Sequence, residues 1–450
     1  MEYEGKKCLI VGLADSGIGS AKLLLSKGAK VTGTDLKLTV KDFFNEPPLN
    51  EVQLVLGKHP LDLLEETELI ILSPGVSPGI PLIKEAKRKG IPIWGELELA
   101  YRNTRTPIIA VSETHGKSTT TSLIYKILKD SGIPTGLGGN IRPALTEVIS
   151  RVSFAGWLVV EVSSFQLESI DAFCPRIALI LNIFPDHLDR HSTLEEFETT
   201  ISRLFKNMGP SDLLIGNLDD TKVQILMEKA NTRKAYFSTK EHGLEGSFVK
   251  NDIIYTRYEG EETQVISIKD IPLPGLHNLQ NVLAAVSATS FVGVQSLQIA
   301  KAIKDFSGLP HRLQKVRELK GVVYINDSKA TTPQATITAL KAVPGPKHLI
   351  LGGSDKNIDF SEMGKEIYDN NVVHVYLIGS TKYKIAEALC LAGFSNYFML
   401  ENLPEAVQLA YEKSKKGDTV LLSPACASFD QFSNFEERGE IFQKLVNELI

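Results

Sequence analysis

The sequence predicts an α/β protein of three domains, and three observations carry that expectation. At 450 residues the chain is long enough for about three domains of 100 to 200 residues each. Short β-branched runs that read as buried strands alternate with helical patterns from end to end. Many of these runs stop at a polar or glycine-rich loop, as in segments 322–333, 348–357, 372–380 and 419–430. The apolar pattern breaks at Arg102–Thr106 and again at Gly308–Pro310, so the domains are read as 1–104, 105–308 and 309–450.

In the first domain, Lys7–Gly12 is a strand, Leu13–Gly19 a loop, Ser20–Lys27 a helix and Lys30–Thr34 a second strand ending at Asp35. That is a βαβ unit of Rossmann type. Gly12, Gly17 and Gly19 do not fit the G-x-G-x-x-G spacing, which disfavours a dinucleotide. A nucleotide or other diphosphate at the helix N-terminus is expected instead, with Asp35 placed for a ribose or base. Leu69–Leu72 is a further strand, closed by the loop Ser73–Pro78, and the helix Pro81–Lys89 leads to a last strand from Ile91.

The middle domain opens on Pro107–Tyr125. Ile108–Val111 reads as a buried strand and Ser122–Lys129 as a helix, with His115-Gly116-Lys117-Ser118 between them. A strand, a tight Gly-Lys-Ser loop and a helix start form a phosphate cradle, in which backbone N–H groups and the helix dipole face the phosphates. The lysine reaches the β/γ-phosphates and the hydroxyl holds Mg²⁺. A lone Gly-Lys-Ser arises by chance; the flanking elements are what give it meaning. Gly136–Asn140 reads as a glycine-rich turn, and Trp157–Glu161 as a buried strand ending in a carboxylate, where a second protein ligand of Mg²⁺ belongs. Ile177–Ile183 is a strand running into Pro185–His191, which holds two histidines and two aspartates at a sheet's carboxyl edge. Residues 245–270 read as an edge hairpin region, and an Ala-rich helix follows His277.

A net charge of −5, from 49 basic and 54 acidic residues, offers no basic field for nucleic acid or an anionic membrane. No apolar run approaches the ~20 residues of a membrane span, so a cytoplasmic protein is expected. Cys8, Cys174, Cys390 and Cys426 are scattered without Cys-x-x-Cys spacing, which argues against a metal knuckle or disulfide framework and for reduced, mostly buried thiols.

Seven further motifs stand in order along the chain. They are Glu161–Glu168 (EVSSFQLE), Asp186–His191 (DHLDRH), His277–Asn281 (HNLQN), His311-Arg312, Asn326–Thr331 (NDSKAT), Gly352–Lys356 (GGSDK), and 422–429 (LSPACASF) with 434–439 (NFEERG). With the compact loop Glu113–Ser118, in which Glu113 stands at the position of the first Gly of G-T-x-G-K-[ST], the chain resembles the Mur ligases over nearly its whole length. The resemblance implies an ATP-dependent amide-bond ligase of peptidoglycan synthesis that adds D-glutamate to UDP-N-acetylmuramoyl-L-alanine, expected to be a monomer.

By the same resemblance, Thr114, His115, Gly116, Lys117, Ser118 and Thr119 cradle the phosphates. Glu161 and Ser118 hold a first Mg²⁺, and His187 a second. Asn278, Asn281, Arg312 and Asp327 look like ATP contacts. Lys329, Thr331, Lys356, Ser428 and Phe435 resemble a D-glutamate pocket, with Lys329 also among the catalytic residues. Ala14, Asp15, Ser16, Asp35, Gly75 and Asn140 bind the uridine diphosphate end, and closure of the third domain onto the second is the implied gate. Two departures stand out. Glu113 is one; the other is Ile201, at the position where the family usually carries a lysine modified to a carbamate that supports the second metal. They open a second reading, a homologue that binds a nucleotide or UDP-sugar without ligase activity. A folylpolyglutamate-type ligase shares the cradle but gives no reason for the first domain.

Overall fold

The computed structural model describes residues 3–40, 42–112, 114–184, 190–191, 193–355 and 358–450. Glu113, Asp186, His187, Asp189, Lys356 and Asn357 lie outside the described residues. Among those described, the strands form three sheets, one for each stretch read as a domain.

The first sheet contains β1 (Lys7–Val11), β2 (Lys30–Asp35), β3 (Gln53–Leu56), β4 (Leu69–Leu72) and β5 (Ile93–Gly95), all parallel, in the order β3-β2-β1-β4-β5. β1 and β4 are buried on both faces, as their apolar runs require. The order reverses direction between β1 and β4, where Val11 pairs with Leu72, so the loops after these two strands meet at the switch point where α/β sheets bind ligands. The first helix begins at Asp15, five residues earlier than the sequence suggests. Gly17 and Gly19 are therefore helical, and both are packing glycines. A Cβ on Gly17 would lie 2.2 Å from the carbonyl oxygen of Gly12, and one on Gly19 2.5 Å from Thr146.

The second sheet runs β14-β13-β12-β11-β10-β9-β6-β8-β7. Its strands are β6 (Ile108–Ser112), β7 (Thr135–Gly139), β8 (Trp157–Val162), β9 (Ile177–Ile180), β10 (Leu213–Asn217), β11 (Arg233–Ser238), β12 (Gly246–Lys250), β13 (Ile253–Tyr258) and β14 (Glu261–Ser267). It is parallel from β7 to β12, and β12–β14 close one edge antiparallel, as expected for 245–270. The stretch read as a glycine-rich turn is the opposite edge strand, β7. Its glycines serve close packing: a Cβ on Gly136 would meet Val148 at 2.5 Å. β9 ends at Ile180, three residues short of the expected strand.

The third sheet contains β15 (Gln314–Leu319), β16 (Val322–Asn326), β17 (Lys347–Gly352), β18 (Val372–Ile378), β19 (Tyr397–Met399) and β20 (Thr419–Leu422), in the order β15-β16-β20-β17-β18-β19, parallel except at β15. All four cysteines are free; Cys8 and Cys426 are buried, Cys174 is half-buried and Cys390 is exposed. No described helix is long and apolar enough to cross a membrane.

By packing, residues 1–271 and 276–306 make one unit, and 272–275 with 307–450 another. The first two sheets share a unit: Leu97 and Ala100 pack into the apolar core of the second sheet, and polar side chains join the two as well. From helix Glu96–Arg102, the buried Glu98 carboxylate accepts the backbone N–H groups of Asp171, Ala172 and Phe173, each at 2.9 Å, and the Arg102 Nε at 2.6 Å. Glu96 accepts the Thr146 N–H at 2.6 Å, and burial lifts its carboxyl to about 7. Lys22 pairs with Glu147 at 2.9 Å.

Candidate active site

β6 lies between β8 and β9, buried along its whole length, and delivers the chain to the cradle at the carboxyl edge of the second sheet. Helix Lys117–Asp130 starts there, on Gly116 at φ 106°. Glycine is required twice over, because the backbone is left-handed and because a Cβ would stand 2.2 Å from Asn281 Oδ1. Asn281 in turn accepts the Thr120 hydroxyl at 3.3 Å and donates to Asn278 at 3.3 Å, so the two asparagines of His277–Asn281 lie buried against the cradle helix.

The loop is stitched to the end of β9. Asn182 accepts the His115 N–H at 3.1 Å and donates to the His115 carbonyl at 2.8 Å. The Thr114 hydroxyl accepts the Phe184 N–H at 3.0 Å and donates to its carbonyl at 3.1 Å. Neither Asn182 nor Phe184 was marked by the sequence reading; a polar Asn just past a buried apolar run was the available signal. Lys117 Nζ reaches back to the Thr114 carbonyl at 3.4 Å, and Ser118 and Thr119 follow in the first turn of the helix.

Glu161, near the end of β8, is 3% exposed. One of its oxygens accepts Asn140 Nδ2 at 2.7 Å; the other is buried with no donor among the described residues. A buried carboxylate oxygen lacking a donor is costly unless a cation meets it, so Glu161 fits a hard divalent ion such as Mg²⁺. Asn140, expected to serve the uridine diphosphate end, is exposed and donates one N–H to Glu161. Among the described residues no three His, Cys, Asp or Glu side chains form a metal cluster by themselves, and His187 lies outside them. Ile201 is 1% exposed and belongs to the apolar core of the second sheet with Phe197 and Leu204. Of the remaining motif histidines, His191 is buried against Ser164 Oγ at 3.0 Å and stacks on Phe165, a structural role.

At the switch point of the first sheet, Ala14 precedes the helix, Asp15 pairs with Arg142 at 2.7 Å, and the Ser16 carbonyl accepts Ser20 Oγ. Asp35 spends both oxygens on backbone, accepting Leu13 N–H at 2.8 Å and Lys37 N–H at 2.9 Å. It shapes the loop beside the position foreseen for the ribose or base. Gly75 is exposed in the loop after β4.

In the third sheet the loops after β16 and β20 adjoin. Asp327 is buried, accepts Leu313 N–H at 3.1 Å and Ser423 Oγ at 2.8 Å, and burial raises its carboxyl to about 7. Its hydrogen bonds are therefore internal to this domain, and the turn it holds includes His311 and Leu313 at positive φ, flanking Arg312. Lys329 donates its N–H to the His311 carbonyl, Thr331 follows half-buried, and Phe435 opens helix Phe435–Glu448 beside His311. Ser428 is 1% exposed, and its hydroxyl has no partner among the described residues. The sequence reading quoted Arg438 within the motif 434–439 but gave it no role. This fully buried guanidinium donates to the Ser328 hydroxyl and carbonyl and to the Cys426 carbonyl at 2.8–3.1 Å, and burial lowers it to about 10. It ties the two loops together from beneath.

Fold and loop define a three-domain α/β protein with a Gly-Lys-Ser loop at the carboxyl edge of the middle sheet. Residues 6–95 match the family description "Mur ligase MurD-like, N-terminal domain", residues 111–289 "Mur ligase middle domain", and residues 311–426 "Mur ligase, glutamate ligase domain". The chain is 41% identical over 450 residues to the UDP-N-acetylmuramoylalanine–D-glutamate ligase of Pelotomaculum thermopropionicum, covering 99% of this chain and 98% of that one. It is likewise 41% identical over 453 residues to the enzyme of that name from Thermoanaerobacter pseudethanolicus, over 100% of both. The chain belongs to the Mur ligase family. Solved structures agree on the fold. The UDP-N-acetylmuramate-alanine ligase of Thermotoga maritima superposes with a TM-score of 0.62 at 18% identity, over 98% of this chain and 99% of that one. The MurF ligase of Thermotoga maritima, in complex with ADP, does so at 0.57 and 18%, over 99% and 96%.

Proposed function

We propose that this chain is an ATP-dependent amide-bond ligase that joins D-glutamate to UDP-N-acetylmuramoyl-L-alanine in peptidoglycan synthesis. The observation that carries the reading is the 41% identity, end to end, with relatives of that name. The site supports it. In this reading the acceptor's terminal carboxylate attacks the γ-phosphorus of ATP and ADP leaves, giving an acyl phosphate from which the amine of glutamate, losing a proton, displaces phosphate. Charge builds on phosphoryl and acyl oxygens, so fixed positive groups and aligned backbone donors have the largest task. Gly116 and the first turn of helix Lys117–Asp130 supply N–H groups at a helix N-terminus, and Lys117 supplies a cation beside them. Mg²⁺, held by Ser118 and the unpartnered oxygen of Glu161, would neutralise phosphate charge. Ser428, with its unpartnered hydroxyl, together with Thr331, Lys329, Lys356 and Phe435, would receive glutamate, and the loops after β1 and β4 the uridine diphosphate.

A coupled phosphate-release assay with UDP-N-acetylmuramoyl-L-alanine and ATP tests this, with D-glutamate, L-glutamate or L-alanine as the amine. D-glutamate is expected to support turnover well above the others. Binding of the UDP-sugar without phosphate release would favour the non-catalytic homologue, for which the apolar burial of Ile201 is the motivating observation. Turnover with another amine would overturn the substrate assignment.

A further inference from the structure

Two motif residues, Glu168 and Arg190, have no part in the chemistry above, yet they make a polar contact at the junction of the first two domains. Arg190 forks onto Glu168, with Nε to Oε1 at 3.1 Å and Nη2 to Oε2 at 2.6 Å, and lies over the Phe165 ring at 4.6 Å. The same guanidinium crosses into the first domain. Nη1 donates to the Pro74 carbonyl at 3.0 Å and Nη2 to the Val76 carbonyl at 3.3 Å. Both charged groups are mostly shielded from water, which strengthens each bond.

The two carbonyls that accept from Arg190 belong to the peptide units that carry the N–H groups of Gly75 and Ser77. Neither unit is among the cis peptides, and in a trans peptide the N–H points opposite the C=O. Holding the carbonyls on the Arg190 side therefore turns both N–H groups to the other side. Among the described residues neither N–H finds an acceptor, and both residues are exposed. Gly75 has no positive φ, and a Cβ there would meet nothing within 4 Å. Neither the backbone angle nor packing in the free protein calls for glycine at this position, and its lack of a side chain leaves the backbone open to close approach by a ligand.

We infer that Arg190, clamped by Glu168, is a positioning residue that aims the Gly75 and Ser77 N–H groups at the anionic portion of the UDP-linked acceptor. The identity of the ligand rests on the ligase reading; the aiming of the loop does not.

The test uses the full chain with Arg190→Lys, Arg190→Gln and Glu168→Gln. Lysine keeps the charge but, as a point donor, cannot serve a carboxylate and two carbonyls together. Calorimetric titration with UDP-N-acetylmuramoyl-L-alanine is expected to show affinity about tenfold weaker for either Arg190 variant, less for Glu168→Gln, with ATP affinity moved less than about twofold. Amide exchange of Ser73 and Val76, whose N–H groups bond the Val11 and Ser73 carbonyls, should quicken by a similar factor in the unliganded protein. Equal losses for both ligands alongside a lowered Tm would reduce Arg190 to a structural strut and overturn the inference, as would unchanged binding and exchange. If the unmodified protein binds no UDP-acceptor, the ligase reading fails by itself, while the exchange data still decide whether Arg190 orders the loop.

Discussion

The phosphate cradle of the middle domain and the loop cluster of the last domain both hold irregular backbone at the carboxyl edge of a parallel sheet, but by opposite means. The cradle is fixed by a left-handed glycine and by neutral side chains, Asn182 and Thr114, that satisfy backbone groups in pairs. The last domain relies on two buried ionisable groups, Asp327 and Arg438, whose hydrogen bonds go to hydroxyls and backbone. Geometry secures the first and charge state the second. The first should fail through shape and the second through pH.

Five measurements would break or sharpen that contrast. Lys117→Ala removes the cradle's cation while leaving its shape, and turnover should fall by about a thousandfold or more, about 4 kcal/mol of transition-state stabilisation. UDP-acceptor affinity by calorimetry should stay within about twofold; its loss would mean that the cradle and the acceptor loops are not separable. Ile201→Lys places an ammonium in the apolar core and should cost about 3 kcal/mol of stability, read as a lower midpoint in urea. An unchanged midpoint would show that the new head escapes to water.

Gly116→Ala sets a Cβ in a left-handed backbone against Asn281, for which about 2 kcal/mol of strain and clash is expected, or roughly thirtyfold weaker ATP binding. Asn182→Ala leaves Gly116 intact but strips both stitches from His115, for about tenfold. Were Asn182→Ala the more damaging of the two, the side-chain stitching would outrank the glycine.

The smallest effect belongs to the last domain. Burial raises Asp327 from 3.8 to about 7, so the fold favours its neutral form. Its contribution is fully present below about pH 4, is lost as pH rises towards 7, and is flat beyond. Amide exchange in β16 and β20, corrected for intrinsic rates, should report a loss on the order of 1 kcal/mol between pH 4.5 and 7.5, and Asp327→Asn should flatten it. A slope of the opposite sign would assign the dependence to other groups.

Much of the fold was legible because buried parallel strands announce themselves as β-branched runs, as in Ile108–Val111 and Leu69–Leu72. β3 went unread because Gln53–Leu56 is partly exposed and short. β7 was taken for a turn because TGLGG carries the composition of one. Those glycines are demanded by neighbours such as Val148, which are distant in sequence and leave no local trace. The cradle could be read for the opposite reason, since strand, loop and helix are contiguous. Asn182, Arg190 and Arg438 act across 67, 116 and 110 residues of chain, and no local pattern encodes such ties.

Glu98 sets a limit on recombination. It sits in the helix that ends the first domain, yet it satisfies three consecutive N–H groups of the second. A chain severed near residue 104 would leave the Glu98 carboxylate with Arg102 as its remaining partner on one fragment and three bare amides on the other. The boundary visible in the sequence is thus not a joint at which this protein can exchange modules with its relatives, unless the incoming module brings its own acid to the position of Glu98.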